Sequence, residues 1–456
     1  MPRLFGTSGV RGLVNGKLTS LTALKLGLAF AAFLGNEGTV GVVSDARLAS
    51  PILKMALIAG LANGGINVID FGTASTPGLL HAVKRRGLSG GVAVTGSHTP
   101  PEIHGILFFR SDTAELYGDY ERKLERVFEE TRFSFASWTK TGSVSRSTPL
   151  RDYVLDILES FSENEFRGYK IVLDAGHSPA VSELTEILER LGCKVFVLNG
   201  KVDGRFPNRP PNPLPEYLSQ LRKAVTSKRA DFGLAIDGDG DRAVFVDEKG
   251  HVVTPDYAGA IFADEELASR AGGVVVCPVN TSRVIEYVVR RHRARCVYTR
   301  IGPPAMVEAI LKHSGDVVFA FEETGKYIWP GNIYYGDPAY ASARLLSIVS
   351  EKSPLSELAE TLPQFYQEKL AVPCPDEAKQ AVLERLRAEL ERLEEVEVIT
   401  IDGVKAVFPG GDWVLLRPSG TEPVFRCFVE ASSPRRLDEL RSFALRVLRK
   451  ALTNRA

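Results

Sequence analysis

A chain of 456 residues is longer than one ordinary domain and predicts about three or four. Its 44% hydrophobic and 25% charged residues describe a globular chain with ample core. The 56 Lys+Arg balance the 56 Asp+Glu, which excludes a global field for nucleic acid or an anionic membrane and leaves only local basic pockets.

The N-terminal MPRLFGTSGVRG lacks the apolar core of a secretory signal. The longest hydrophobic stretch, LGLAFAAFLG, is about half a membrane span, so no membrane partner is expected and the cytoplasm is the expected location. Helical spacing at 21–34, a β-rich run at 39–45, a second helical stretch at 51–64, a run at 66–72 and then GGVAV set up a βαβα rhythm. A Ser/Thr-rich break at 139–149 reads as a linker. The rhythm restarts with strands at 169–176, 194–200 and 230–236, and again at 272–280, 295–302 and 316–323. Each block predicts α/β layers on a mostly parallel sheet. The tail differs: a charged helix at 376–395, three closely spaced strands and a final helix at 434–452 predict a small α+β domain. The five cysteines (Cys193, Cys277, Cys296, Cys374, Cys427) form no CxxC pair. They read as small core residues in a reducing compartment, with neither a zinc site nor a disulfide framework expected.

In each α/β block one strand ends in an unusual polar loop: TGSHTPPEIHG (95–105), DGDGDR (237–242) and EETGK (322–326). Ligands of open α/β sheets bind beyond the carboxyl ends of strands, so these loops are expected to share a cleft. Asp237, Asp239 and Asp241 place oxygen ligands at alternate positions, which suits a hard cation such as Mg²⁺ or Ca²⁺. An EF-hand is excluded because Arg242 falls where that loop needs glycine and β-rich segments flank it. In RPSGTEP (417–423), backbone N–H groups, two hydroxyls and Arg417 can converge on one anion, with Arg426 as a second charge; a plain hairpin turn fits that segment equally well. FGTSGVRG (5–12) carries Arg11 but has no strand before it, so it is not a dinucleotide fingerprint. Asp45 and Arg47 read as a structural ion pair, and GRFPNRPPNPLPE (204–216) as a rigid connector. Ser97 lacks a G-x-S-x-G elbow, and a lone His98 more often has a structural role, which disfavours a hydrolase triad. A serine, an acidic metal loop and an anion-binding arginine loop fit phosphoryl transfer instead.

In combination and order, these segments resemble the α-D-phosphohexomutase family of phosphoglucomutases, phosphomannomutases and phosphoglucosamine mutases. The resemblance covers essentially the whole chain, including the connector. It implies three similar α/β domains with mixed sheets plus a C-terminal α+β domain around a central cleft, with boundaries at 1–147, 148–252, 253–366 and 367–456. It implies a phosphoryl group on Ser97, Mg²⁺ held by Asp237, Asp239, Asp241 and that phosphate, and glucose 1,6-bisphosphate as activator. Arg11, with His98 beside Ser97, is implied in catalysis. Arg242, Arg300, Glu322, Thr324, Arg417, Ser419, Gly420, Thr421 and Arg426 are implied in binding the phosphosugar, and the protein is expected to be a monomer or small homo-oligomer. The expected reaction interconverts hexose 1-phosphate and 6-phosphate, of glucose and/or mannose, through a bound 1,6-bisphosphate. Phosphoglucosamine mutase, phosphopentomutase or a non-catalytic sugar-phosphate binder are the alternatives. The chain departs from the family pattern where Thr99 and His104 replace asparagines, Leu107 replaces a lysine and Lys326 stands for a histidine. His104 or Lys326 is therefore expected to take part of the acid–base role.

Overall fold

The computed structural model describes residues 4–6, 8–270, 272–420 and 422–453. Four sheets follow one another along the chain. The first contains β1 (Val10–Leu13), β2 (Thr39–Ser44), β3 (Asn67–Thr73), β4 (Gly90–Val94), β5 (Ile103–Arg110) and β6 (Val144–Arg146), in the order β1-β5-β4-β2-β3-β6. The second contains β7 (Lys170–Asp174), β8 (Lys194–Leu198), β9 (Phe232–Ile236), β10 (Ala243–Asp247) and β11 (Val252–Val253), in the order β11-β10-β9-β7-β8. The third contains β12 (Val274–Pro278), β13 (Arg295–Thr299), β14 (Val317–Glu322) and β15 (Lys326–Ile328), in the order β13-β12-β14-β15. The fourth contains β16 (Tyr366–Pro373), β17 (Glu397–Ile399), β18 (Val404–Val407), β19 (Trp413–Pro418) and β20 (Val424–Ala431), in the order β16-β20-β19-β18-β17 and antiparallel throughout.

The first three domains are α/β with mixed sheets built on one scheme. β4, β9 and β14 each pair in parallel with a neighbour, then turn back into an antiparallel strand, β5, β10 and β15. β4 and β9 are buried at every residue, which explains their unbroken apolar runs. The turns of these hairpins are the three polar loops, so one repeated topology presents all of them.

The first and fourth domains have their own apolar cores, whereas one core running from Tyr153 to Leu362 joins the second and third. The fourth domain docks on the third through Val279, Trp413, Leu415 and Phe428. At that seam Lys405 donates from Nζ to the Val279 carbonyl at 2.8 Å and lies 4.0 Å from the Trp413 ring. Among the described residues, no helix is long and apolar enough to cross a membrane.

The segment expected as a linker carries the edge strand β6, which pairs in parallel with β3 because its alternating Val-Ser-Arg run has an open neighbour there. The cysteines are all free, yet the sulfurs of Cys277 and Cys296, on neighbouring strands, approach to 3.1 Å. The Pro-rich segment is more than a connector. Its Arg209 is buried, paired with Asp174 at 2.9 Å at the end of β7, and donates to the Ile236 carbonyl at 2.6 Å at the end of β9. The two strand ends behind the acidic loop are thereby tied together. Arg209→Ala leaves the Asp174 carboxylate buried without its partner and is expected to cost about 3–5 kcal/mol in urea-unfolding stability.

Candidate active site

Ser97 is buried just beyond β4, with a left-handed backbone at φ 50°. Such a conformation costs a non-glycine residue about 1–3 kcal/mol unless its surroundings over-determine it. The surroundings come from the turn after β2. The Asp45 carboxylate accepts from the Gly96 N–H and the Thr95 hydroxyl, both at 2.9 Å, and Thr95 Oγ1 in turn accepts from the Ser97 N–H at 2.7 Å. Arg47, fully buried and 2.9 Å from Asp45, donates to the carbonyls of Ser97, Thr99 and Pro100. The ion pair expected from VSDARLAS is thus the clamp that sets the Ser97 turn.

The acidic loop meets this turn across the first domain boundary. Ser97 Oγ donates to Asp237 Oδ2 at 2.9 Å, while Asp237 Oδ1 accepts from the N–H groups of Asp241 and Arg242. A side chain at Gly238 would stand 2.5 Å from the Ser97 carbonyl, so only glycine permits this approach. Ligand oxygens of Asp237, Asp239 and Asp241 lie within 4.8 Å of one another, all buried. Burial, then the charge of Asp241, pushes the Asp237 carboxyl up and Asp239 well up. Asp239 Oδ1 has no hydrogen-bond partner among the described residues. A buried all-oxygen donor set short of positive charge fits a hard divalent cation.

Two cations, Arg242 and Lys326, contact the triad, and a third, Arg11, contacts the serine turn. Arg242 donates to His98 Nδ1 at 2.8 Å and lies 3.8 Å from Asp237 and 3.9 Å from Asp241. Burial, followed by the charges of Arg242 and Arg11, holds His98 well below the usual histidine range, so it is a neutral acceptor. Arg11 on β1 reaches the Gly96 carbonyl at 3.3 Å. Lys326, buried at the start of β15, contacts Asp241 at 2.7 Å and the Tyr335 hydroxyl at 3.1 Å. Gly336 lets the third domain approach this closely, since a Cβ there would stand 2.1 Å from the Asp241 carbonyl. In the same hairpin Glu322 is buried and accepts the Thr324 hydroxyl.

Hydrogen bonds and ion pairs therefore link Ser97, His98, Asp237, Asp241, Arg242 and Lys326 into one cluster, and Arg11 contacts the adjoining Gly96 carbonyl. His104 is buried on β5, where burial lowers its pKa, Asp45 opposes that shift and Arg47 adds to it; among the described residues no hydrogen bond joins it to Ser97. Leu107 packs in an apolar cluster with Phe109 and Tyr335. Arg300 is exposed after β13. On the fourth domain Arg417 and Arg426 stand opposite each other across β19 and β20, an arrangement that costs stability without an intervening anion. Each is held by a carboxylate, Arg417 by Asp402 and Arg426 by Glu422. Ser419 is buried, its N–H donating to the Val424 carbonyl and its Oγ accepting from the Glu422 N–H, and Gly420 is exposed beside it. Thr421 lies outside the described residues.

Sequence reasoning missed Glu115, Tyr335 and Thr76. Each is an ordinary residue whose signal is purely spatial. Glu115 accepts the Ser8 hydroxyl at 2.7 Å within the N-terminal loop, and burial pushes its carboxyl up to about 7.

A serine turn, a buried acidic triad and an arginine loop, carried on three repeated α/β domains and one α+β domain, define the α-D-phosphohexomutase class. Family models described as phosphoglucomutase/phosphomannomutase alpha/beta/alpha domains I, II and III match residues 2–135, 151–250 and 254–366, and the C-terminal domain model matches 370–447. The chain belongs to this family, whose members are isomerases that transfer a phosphoryl group. It is 35% identical over 459 residues to a Thermococcus kodakarensis protein named "Phosphoglucomutase/phosphomannomutase", covering 99% of this chain and 100% of the relative. It is 37% identical over 454 residues to a Methanopyrus kandleri protein named "Probable phosphoglucosamine mutase", covering 99% of each. A T. kodakarensis phosphopentomutase is 35% identical over 441 residues, 96% of each chain. The crystal structure of a family protein from Burkholderia thailandensis superposes with a TM-score of 0.88 at 29% identity, covering 100% of this chain and 99% of the other.

The folded-state pKa of Glu115, raised to about 7, means that the native state binds more protons than the unfolded chain between the ordinary glutamate value and that point. Its contribution is present below this window and lost as pH rises through it. Glu115→Gln keeps an acceptor for Ser8 and removes the titration. Its stability relative to wild type is expected to improve by roughly 3 kcal/mol between pH 4 and pH 8, read from denaturant midpoints.

Proposed function

We propose that the protein interconverts hexose 1-phosphate and hexose 6-phosphate, with glucose and/or mannose as the sugar, through a phosphoserine at Ser97 and a bound 1,6-bisphosphate. The observation that carries this reading is the Ser97 hydroxyl 2.9 Å from Asp237, inside an acidic triad ringed by Arg242 and Lys326. Phosphorylation adds about −1.5 to −2 charges at Ser97 beside three carboxylates, which demands compensation. Mg²⁺ held by Asp237, Asp239 and Asp241 would supply that charge to the transferring group.

In the first half-reaction the P–O bond to Ser97 breaks and a P–O bond forms to a sugar hydroxyl; the hydroxyl loses its proton and Ser97 Oγ gains one. The bisphosphate then turns over, and its other phosphoryl group returns to Ser97. Arg11 and Arg242 neutralise charge around the serine. Lys326 is the residue assigned to exchange the hydroxyl proton, because it enters the cluster from the sugar-binding hairpin. His104 is assigned a structural place beneath the turn. Glu322 and Thr324 receive the sugar hydroxyls. Arg417, Ser419, Gly420, Thr421 and Arg426 hold the phosphate that does not react, with Asp402 and Glu422 giving way to it. Arg300, exposed after β13, is assigned to binding the phosphosugar. Relatives named as a probable phosphoglucosamine mutase and as a phosphopentomutase support other readings of the sugar, with the same chemistry.

Incubation with glucose 1,6-bisphosphate and Mg²⁺ is expected to add one covalent phosphate, seen by intact-mass measurement and absent in Ser97→Ala. A wild-type protein that gains none would sink the phosphoserine mechanism. Coupled assays on glucose, mannose and glucosamine 1-phosphates then rank the sugars.

For the proton-exchange assignment, Lys326→Ala is expected to lower kcat about 100-fold with KM little changed, while His104→Ala keeps most of it. Full turnover in Lys326→Ala would remove Lys326 from the mechanism.

A further inference from the structure

One residue of the first domain reaches a carboxylate of the acidic loop from behind. Thr76 is buried at the start of the helix Thr76–Arg86 and touches Asp239 twice. Its hydroxyl donates to Asp239 Oδ2 at 2.8 Å, and its backbone N–H donates to the Asp239 carbonyl at 3.0 Å. Asp239 Oδ1, buried and without a hydrogen-bond partner among the described residues, is left for the other side of the loop. Side chain and main chain of one aspartate are thus oriented by a neighbouring domain. The loop is also wedged there: a Cβ on Gly240 would stand 2.4 Å from Ala180 and 3.5 Å from Ser75.

The helix that carries Thr76 has little freedom to move. Ser75 caps it, accepting the Gly78 N–H. One turn on, His81 is buried between Asp156 of the second domain and Asp337 of the third, 2.8 Å from each, and stacks on Tyr153 at 4.4 Å. Near its end Arg85 contacts Asp156 and Glu159 at 2.6 Å. A helix bolted to two other domains presents the Thr76 hydroxyl at a fixed point, which is the requirement for a donor that orients a metal ligand.

We propose that Thr76 is a positioning residue for the divalent-cation site, fixing the Asp239 carboxylate across the boundary between the first and second domains so that Oδ1 faces the ion. The proposal rests on reading 237–242 as a cation site. It makes cation affinity depend on the docking of the first domain, because the loop alone supplies no donor to Asp239 Oδ2.

The test is Mn²⁺ binding, followed by electron paramagnetic resonance and calorimetry, to the full-length wild type, Thr76→Val, Thr76→Ala and Thr76→Ser. Val keeps the branched shape and loses the donor, and is expected to weaken Mn²⁺ binding by about 10–100-fold, with Ala alike. Ser restores the hydroxyl and is expected to bind within a few-fold of wild type. Circular dichroism and metal-free melting identify any variant that fails to fold, and Ala then stands in for Val. Wild-type affinity in a folded Val or Ala variant overturns the proposal, as does Ser binding as weakly as Val. Wild type that binds no Mn²⁺ overturns the cation-site reading itself, so the two failures are told apart.

Discussion

Three carboxylates buried within 4.8 Å of one another are the constraint on which the rest of this molecule depends. Burial, followed by the charge of Asp241, disfavours the ionised forms of Asp237 and Asp239, and burying such charges without compensation costs several kcal/mol each. The compensation arrives from three domains. Arg242 belongs to the same loop, Lys326 crosses from the third domain, and Ser97 and Thr76 donate hydroxyl hydrogens from the first. A single six-residue loop is thus the point at which side chains from three sheets meet. The same arrangement makes a doubly charged cation and a phosphoryl group mutually favourable there, since each offsets the charge that the other brings.

The serine that faces this loop is held from behind. Its left-handed backbone persists because Asp45 accepts from the Gly96 N–H and the Thr95 hydroxyl while Arg47 donates to the carbonyls of Ser97, Thr99 and Pro100. With both partners inaccessible to solvent, the pair is costly to break, and its side chains have no competing water to release them. The hydroxyl is therefore presented at a fixed point without depending on its own rotamer preferences alone. The fourth domain follows a different logic. Its arginines face one another across two strands, and a carboxylate offsets each of them. Asp402 also accepts the Ile301 N–H, which ties the Arg417 ion pair to the seam between the third and fourth domains.

The βαβ rhythm, the apolar strands GGVAV and FGLAI, and the acidic, serine and arginine loops could all be read from residue order. Buried parallel strands must be apolar throughout, and turns that serve chemistry depart from ordinary turn composition. The edge strand β6 escaped because its polar residues look like a linker until β3 supplies a free edge. Arg209 escaped because proline neighbours suggest a spacer, whereas its role is defined by two strand ends 35 and 27 residues away. His104 and Lys326 carried equal weight as candidates in sequence. The structure separates them: one is buried under the turn near Arg47, and the other contacts Asp241 and Tyr335.

What the sequence by itself determined was the set of chemical groups and the local turns that carry them, because periodicity, glycine placement and alternating aspartates act over a few residues. Only the tertiary structure decided which groups share a cluster. Ser97 and Asp237 are separated by 140 residues, and Thr76 and Asp239 by 163, so their meeting depends on how whole domains pack. That packing turns on features invisible in any local window: a glycine that admits a neighbouring backbone, a histidine bolted between two domains, and a charge balance closed only when three sheets are in place.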